Sequence, residues 1–356
     1  MSISVHLHDS VPLPGGEALI HGHAFEGRPG GARRALLPNG PDLEVYDLDG
    51  LLAGEQAPAA VFPVPWPGWD RGVHSVSPDG TFAVFSGQRA VRAVAAGGTT
   101  LWEYRHGCWG PESGHPHTGD EQQVCRGLEH GSCRVSDDGR LVWAHVVGED
   151  GEDEQDGCEL WVVLDARDGR ELARLRLEDS AAAGSHHVAH PDGVHMGLSV
   201  GMGQDGILLH WARLDGAEPV SWDLNENLDR ILMDVHPDHE GYLTMEHYGA
   251  DVRLHALDGT VLAEREEVDE NPWDWACGFV DARTVLVSTG AEYGEEDQDS
   301  RHWLLDAHTL EIRGAVAYPP GTRHGLARPL GDGSWLTHDE ESGTLSRWTR
   351  RAPDGS

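Results

Sequence analysis

One pattern constrains this chain's fold more than any other: an alternating strand, a tight turn and a second strand, repeated seven times. The copies are Leu43 to Leu52, Val91 to Trp102, Leu160 to Leu172, Leu209 to Gly216, Val252 to Gly259, His302 to Leu310 and Leu345 to Gly355. Asp-Gly or Gly-Gly pairs in most copies supply the positive φ that two-residue hairpin turns require. Upstream of most copies lies a second unit, an apolar strand turned by a corner: Val76-Ser-Pro-Asp-Gly80, Val135-Ser-Asp-Asp-Gly139, Ala189-His-Pro-Asp-Gly193, Val235-His-Pro-Asp238 and a degraded Pro329-Leu-Gly-Asp-Gly333. Each period therefore holds four strands.

Four-stranded antiparallel units at a period of roughly 45 residues mark propeller blades, in contrast to the helix pairs of α-solenoids. The expected fold is all-β, a single seven-bladed β-propeller over residues 1–356. Its seventh copy ends at a turn with no fourth strand, and the alternating N-terminal segment (residues 2–9) is expected to complete that blade and close the ring. On Ser77-Pro-Asp-Gly80, Ser136-Asp-Asp-Gly139 and the seven hairpins, nearly the whole chain resembles the WD40-like propeller family. The Trp-Asp pairs Trp69-Asp70, Trp222-Asp223 and Trp273-Asp274 fall between blades, away from the family's usual blade-end position. The resemblance implies a rigid interaction platform and transfers no catalytic residue.

Charge narrows the choice of partner. Lys+Arg 26 against Asp+Glu 61 gives −35 at pH 7. A field of that sign repels a phosphate backbone, so nucleic acid is excluded and a basic protein or peptide is favoured. A hydrophobic share of 38% still builds a core. No apolar run approaches the roughly 20 residues of a membrane helix, and the N-terminus lacks a basic region followed by an apolar stretch. Five cysteines without repeated spacing fit reduced thiols or metal ligands better than a secreted disulfide framework. The expectation is a cytoplasmic monomer with no membrane association.

In an up-and-down blade, the connections between second and third strands emerge at the same end as those between blades. The long insertions share that end: the interblade segment 105–132, the acidic loop bearing Glu149, Asp150, Asp153 and Asp156, its counterpart bearing Glu295, Asp297 and Asp299, and connectors bearing Trp66, Trp69, Trp109, Trp273 and Trp275. Long loops on a rigid scaffold usually carry function, so this is the expected binding face. The acidic loops match no calcium-loop spacing and read as solvated charge runs that steer a basic partner.

The densest set of metal-capable residues is Cys108, His115, His117, Cys125, His130 and Cys133, where a tetrahedral Zn²⁺ would pin a long loop. Against this stand a Cys108–Cys125 disulfide, or free thiols in a self-packed loop. When blades are aligned on their corners, His74, Cys133, His187, Met233, Cys277 and His324 fall at one position, which would form a ring of soft or borderline ligands if they faced a central channel. Packing between blades is the plainer account of that position. Searches for a nucleophile elbow, a phosphate-binding loop, His-Glu-x-x-His or a dinucleotide fingerprint all fail. The sequence therefore points to a non-catalytic protein- or peptide-binding scaffold. The competing reading is a zinc-dependent hydrolase with a His/Cys site, including His187 and His324, at the channel mouth.

Overall fold

The recurrent hairpins fold into four-stranded blades in a computed structural model. It describes residues 2–14, 25–27, 31–110, 124–125, 129–148, 158–177, 183–224, 229–268, 271–289, 300–325, 327–339 and 341–351. After β1 (Ser2–Pro12) the strands follow in fours. Blade one is β2 (Phe25–Glu26), β3 (Arg34–Asn39), β4 (Asp42–Asp47) and β5 (Ala60–Pro63), with α1 (Leu48–Leu52) between the last two. Blade two is β6 (Ser75–Val76), β7 (Phe82–Ser86), β8 (Ala90–Ala95) and β9 (Thr100–Arg105). Blade three is β10 (Cys133–Val135), β11 (Leu141–Val147), β12 (Glu159–Asp165) and β13 (Glu171–Leu177). Blade four is β14 (Ser185–Ala189), β15 (His195–Gly201), β16 (Ile207–Asp215) and β17 (Glu218–Asp223). Blade five is β18 (Arg230–Val235), β19 (Gly241–Glu246), β20 (Asp251–Ala256) and β21 (Val261–Glu266). Blade six is β22 (Trp273–Asp281), β23 (Thr284–Thr289), β24 (Arg301–Asp306) and β25 (Ile312–Ala317). The last blade holds β26 (Ala327–Pro329), β27 (Ser334–Asp339) and β28 (Thr344–Arg350). In each of the five four-stranded sheets, strand order follows the chain, and the remaining strands form blades six and seven, so the fold is a seven-bladed β-propeller of antiparallel meanders.

β1 supplies the missing fourth strand. It pairs antiparallel with β28 from Val5↔Arg350 to Pro12↔Thr344, with a bulge between Leu7 and Asp9. Its first residues, Ser2 to Ser4, run parallel to β25, which joins the last two blades in one eight-stranded sheet. Beside this closure Arg33 donates to Asp332 and Asp49, both at 2.6 Å, and Arg347 donates to the same carboxylates at 2.6 and 3.3 Å.

The corners work as their sequences require. Ser77 accepts the backbone N–H groups of Thr81 and Phe82, Ser136 accepts that of Leu141, and each serine donates to its corner aspartate. Two blades place histidine there instead, and the Nδ1 atoms of His190 and His236 accept from the backbone of Asp192 and Asp238. Gly80, Gly139 and Gly193 sit at φ +71° to +75°, while His239 holds the equivalent left-handed position at φ 65°.

Blade one departs from the hairpin pattern. Asp49-Gly50 lies inside α1, not in a turn. Asp47 caps the helix by accepting from the Gly50 N–H at 2.7 Å, and Leu48, Leu51 and Leu52 bury the i, i+3, i+4 face. That cap and that stripe outweigh the turn preference of the dipeptide.

Contacts group the chain into two compact units, residues 1–37, 46–58 and 231–356, and residues 38–45 and 59–230. The second unit's core runs from Val84 through Trp102, Cys133 and Val142 to Leu164. In the first unit, Leu243, Phe279 and Leu305 belong to one cluster, while the leucines of α1 pack with Phe25, Leu336 and Leu345 in another. Among the described residues no helix is long and apolar enough to cross a membrane.

Candidate functional site

Four of the five connector tryptophans go into packing. Trp66, Trp69, Trp109 and Trp273 are all buried. The Trp66 ring lies under the Arg92 guanidinium at 4.6 Å, the Trp69 indole donates to the Ser86 carbonyl, Trp109 meets His145 edge-on, and the Trp273 indole donates to the Arg265 carbonyl. Trp275 is different, since it is 52% exposed and Tyr248 beside it is 70% exposed. The Trp275 indole donates to the His247 carbonyl at 2.8 Å, and the His247 ring lies 4.8 Å from Tyr248 and 5.2 Å from Trp275. Glu246 fixes the turn beneath them by accepting from the N–H groups of Tyr248 and Ala250. This knuckle joins the β19–β20 connection to the start of blade six, at the loop-bearing end of its strands. Beside Trp275, burial raises the Asp274 carboxyl above its ordinary range. Exposed aromatic faces with carboxylates nearby are suited to cationic side chains.

The acidic residues Glu149, Asp150, Asp153, Asp156, Glu295, Asp297 and Asp299 lie outside the described residues, as do His115 and His117. Of the other metal-capable residues, Cys108 and Cys125 come together with Sγ atoms 3.6 Å apart. Cys133 is buried separately, its thiol donating to the carbonyls of Val73 and Val84. His130 lies against Gly184, where a Cβ would fall 2.2 Å from its Nε2 atom.

His187 belongs to a buried relay spanning blades three and four. The Trp161 indole donates to His187 Nε2 at 2.9 Å, so His187 carries its proton on Nδ1 and donates to Ser132 at 2.8 Å. The hydroxyls then align in one direction: Ser132 donates to Ser185 at 2.8 Å, Ser185 to His145 Nδ1 at 2.9 Å, and His145 Nε2 to Glu159 at 2.7 Å. The last three groups have the hydrogen-bond order of a serine–histidine–acid triad. All three are buried, so the arrangement fixes strands and offers no approach for a substrate.

Burial holds His187 well below the usual histidine range and His74 down at about 4, with His74 Nδ1 accepting from Ser86 N–H. Met233 and Cys277 pack in the core around Phe279, where burial pushes the Cys277 thiol well up. His324 stacks on Tyr318 at 4.1 Å and meets His302 at 5.2 Å, in a cleft of about 350 Å³ between blade six and the start of blade seven. Each member of the aligned ligand set is thus engaged within its own surroundings.

Two further clusters have metal-capable chemistry, His190/Asp192/His195 and His236/Glu240/His308. His236 donates from Nε2 to the Ala282 carbonyl and accepts at Nδ1, which leaves no lone pair for a metal. In the other cluster His195 donates to Asp192 at 2.6 Å, and Asp192 also accepts from the backbone of Val194 and His195. Asp192 and His195 of that cluster are thus engaged in the turn itself.

No protein-family model and no curated protein matches the chain. Among solved structures, the β-propeller domain of Cps50 (Swd1) from Myceliophteria thermophila is similar at 12% identity, covering 98% of this chain and 100% of that one, with a TM-score of 0.54. A chain of a mitotic checkpoint complex is similar at 12% identity over 98% and 96% of the two chains, also with a TM-score of 0.54. At such identity the likeness is one of fold.

Proposed function

We propose that this chain, whose fold is that of the WD40-like β-propellers, is a non-catalytic scaffold that binds a basic protein or peptide at the loop-bearing ends of its blades. The observation that carries the reading is the aromatic knuckle in which exposed Tyr248 and Trp275 flank the half-buried His247, in a chain with net charge −35. Large exposed aromatics held in fixed orientation bind at low entropic cost, and surrounding negative charge steers a basic partner and raises its association rate. One structural neighbour is itself part of a multiprotein complex, which is consistent with such a role. The acidic segments Glu149 to Asp156 and Glu295 to Asp299 supply the long-range field, and the site of action is the cytoplasm.

The test is crosslinking capture of partners from cell extract at low and high salt. Three forms are compared: wild type, Trp275→Ala/Tyr248→Ala, and a form with the two acidic segments neutralised to Asn and Gln. The reading predicts a set of basic partners lost from the aromatic variant at either salt, and lost from wild type as salt rises. An unchanged set across all forms would contradict it.

A further inference from the structure

We propose that Cys108 and Cys125 close into a reversible disulfide, a redox staple across the longest interblade connection. One buried side chain positions both cysteines. Gln88 Nε2 donates to Cys108 Sγ at 3.3 Å, and Gln88 Oε1 accepts from the Cys125 backbone N–H at 3.2 Å. Gln88 is fixed in turn, because its carbonyl accepts from the Trp109 N–H. With the Sγ atoms 3.6 Å apart, only a short closing movement separates them from a bond.

The other cysteines lack this arrangement. Cys133 and Cys277 are buried, and the Cys133 thiol is engaged with two carbonyls. Cys108 and Cys125 are only half-buried, so a small disulfide can reach them. A structural zinc needs about four ligands, and among the described residues no third Cys, His, Asp or Glu donor joins this pair. Two residues suffice for a disulfide.

The oxidant is a small-molecule disulfide of the glutathione class. The Cys125 thiolate attacks one of its sulfurs, forming a mixed disulfide and releasing one glutathione thiolate. Cys108 then gives its proton to solvent, and its sulfur attacks Cys125 and displaces the second glutathione. Two protein thiols lose two protons and two electrons, and one glutathione disulfide becomes two glutathione thiols. Burial keeps the Cys108 thiol protonated, with its pKa pushed up to about 12, so the first attack falls to Cys125.

The test uses the full-length protein equilibrated in mixtures of reduced and oxidised glutathione. It is quenched in acid, unfolded, alkylated and read by intact mass and peptide mapping. Alkylatable thiols fall from five to three, and a peptide containing Cys108 is recovered linked to one containing Cys125. Dithiothreitol reverses both changes. Neither Cys108→Ser nor Cys125→Ser yields the linked peptide: the first stops at a glutathione adduct on Cys125, the second keeps its thiols, and Cys158→Ser leaves the linked peptide in place. Retention of all five thiols at the most oxidising ratio overturns the proposal, as does a persistent glutathione adduct on Cys125 of the wild type. Stoichiometric zinc in the purified protein, released when the two thiols are blocked, would assign the pair to a metal and overturn it equally. No outcome depends on partner binding.

Discussion

Lowering the pH from about 7.5 to about 5 is expected to remove about 6 kcal/mol of folding stability through three histidines alone. Burial is the main cause in each: it holds His74 and His106 at about 4 and His302 at about 3. In the unfolded chain the same imidazoles titrate near 6.5. Between these values the unfolded state binds protons and the native state does not, so acid favours unfolding. The stability is fully present above the unfolded pKa and falls as pH drops below it. At pH 5 each of the three contributes a loss of about 2 kcal/mol, and His187, also held well below its usual range, adds to it. A total stability of about 5–15 kcal/mol makes such a loss decisive. Carboxylates add little in this window, since Asp165 and Asp306 are held at about 2 and act only in stronger acid. Urea unfolding at the two pH values measures the drop, and His74→Phe should shrink it by about 2 kcal/mol whatever that variant's absolute stability. A stability that changes by less than about 1 kcal/mol across the range would refute the neutral-histidine account.

Other consequences are local. His239→Gly relieves a left-handed residue at φ 65° and should stabilise by about 1 kcal/mol in thermal or urea unfolding. Gly184→Ala places a Cβ 2.2 Å from His130 at φ +85° and should destabilise by about 2 kcal/mol. Asp47→Ala removes the cap of α1 and should cost about 1 kcal/mol. Deleting Ser2–Pro12 removes the edge partner of β28 and the burial of Val5 and Val11, about 3 kcal/mol before any backbone bonds are counted, and should lower the melting temperature accordingly.

The blades were legible because their turns are written in short, local chemistry. Gly169, Gly259 and the corner glycines adopt the positive φ that their pairs announce, while Asp168 and Asp258 do not, and the hairpins close through longer connections with a register shift in place of two-residue turns. The closing role of β1 followed from a missing strand at the other end of the repeat. Asp49-Gly50 misled because the same dipeptide serves a turn or a helix, and only Asp47 with the Leu48, Leu51, Leu52 spacing signalled the helix. The relay from Trp161 to Glu159 was hidden, since its members are scattered between Ser132 and His187 and meet only when two blades pack. Tryptophan in a connector is equally ambiguous: Trp273 and Trp275 are two residues apart, and strand alternation interrupted by a bulge buries one and exposes the other.

The most direct test of the scaffold reading is a hydrogen-exchange footprint of the protein with a captured basic partner. The account predicts protection over residues 246–250 and 273–276, lost together with binding in Trp275→Ala/Tyr248→Ala. Protection confined to the opposite ends of the blades, at turns such as Asp168-Gly169 and Asp258-Gly259, would contradict it.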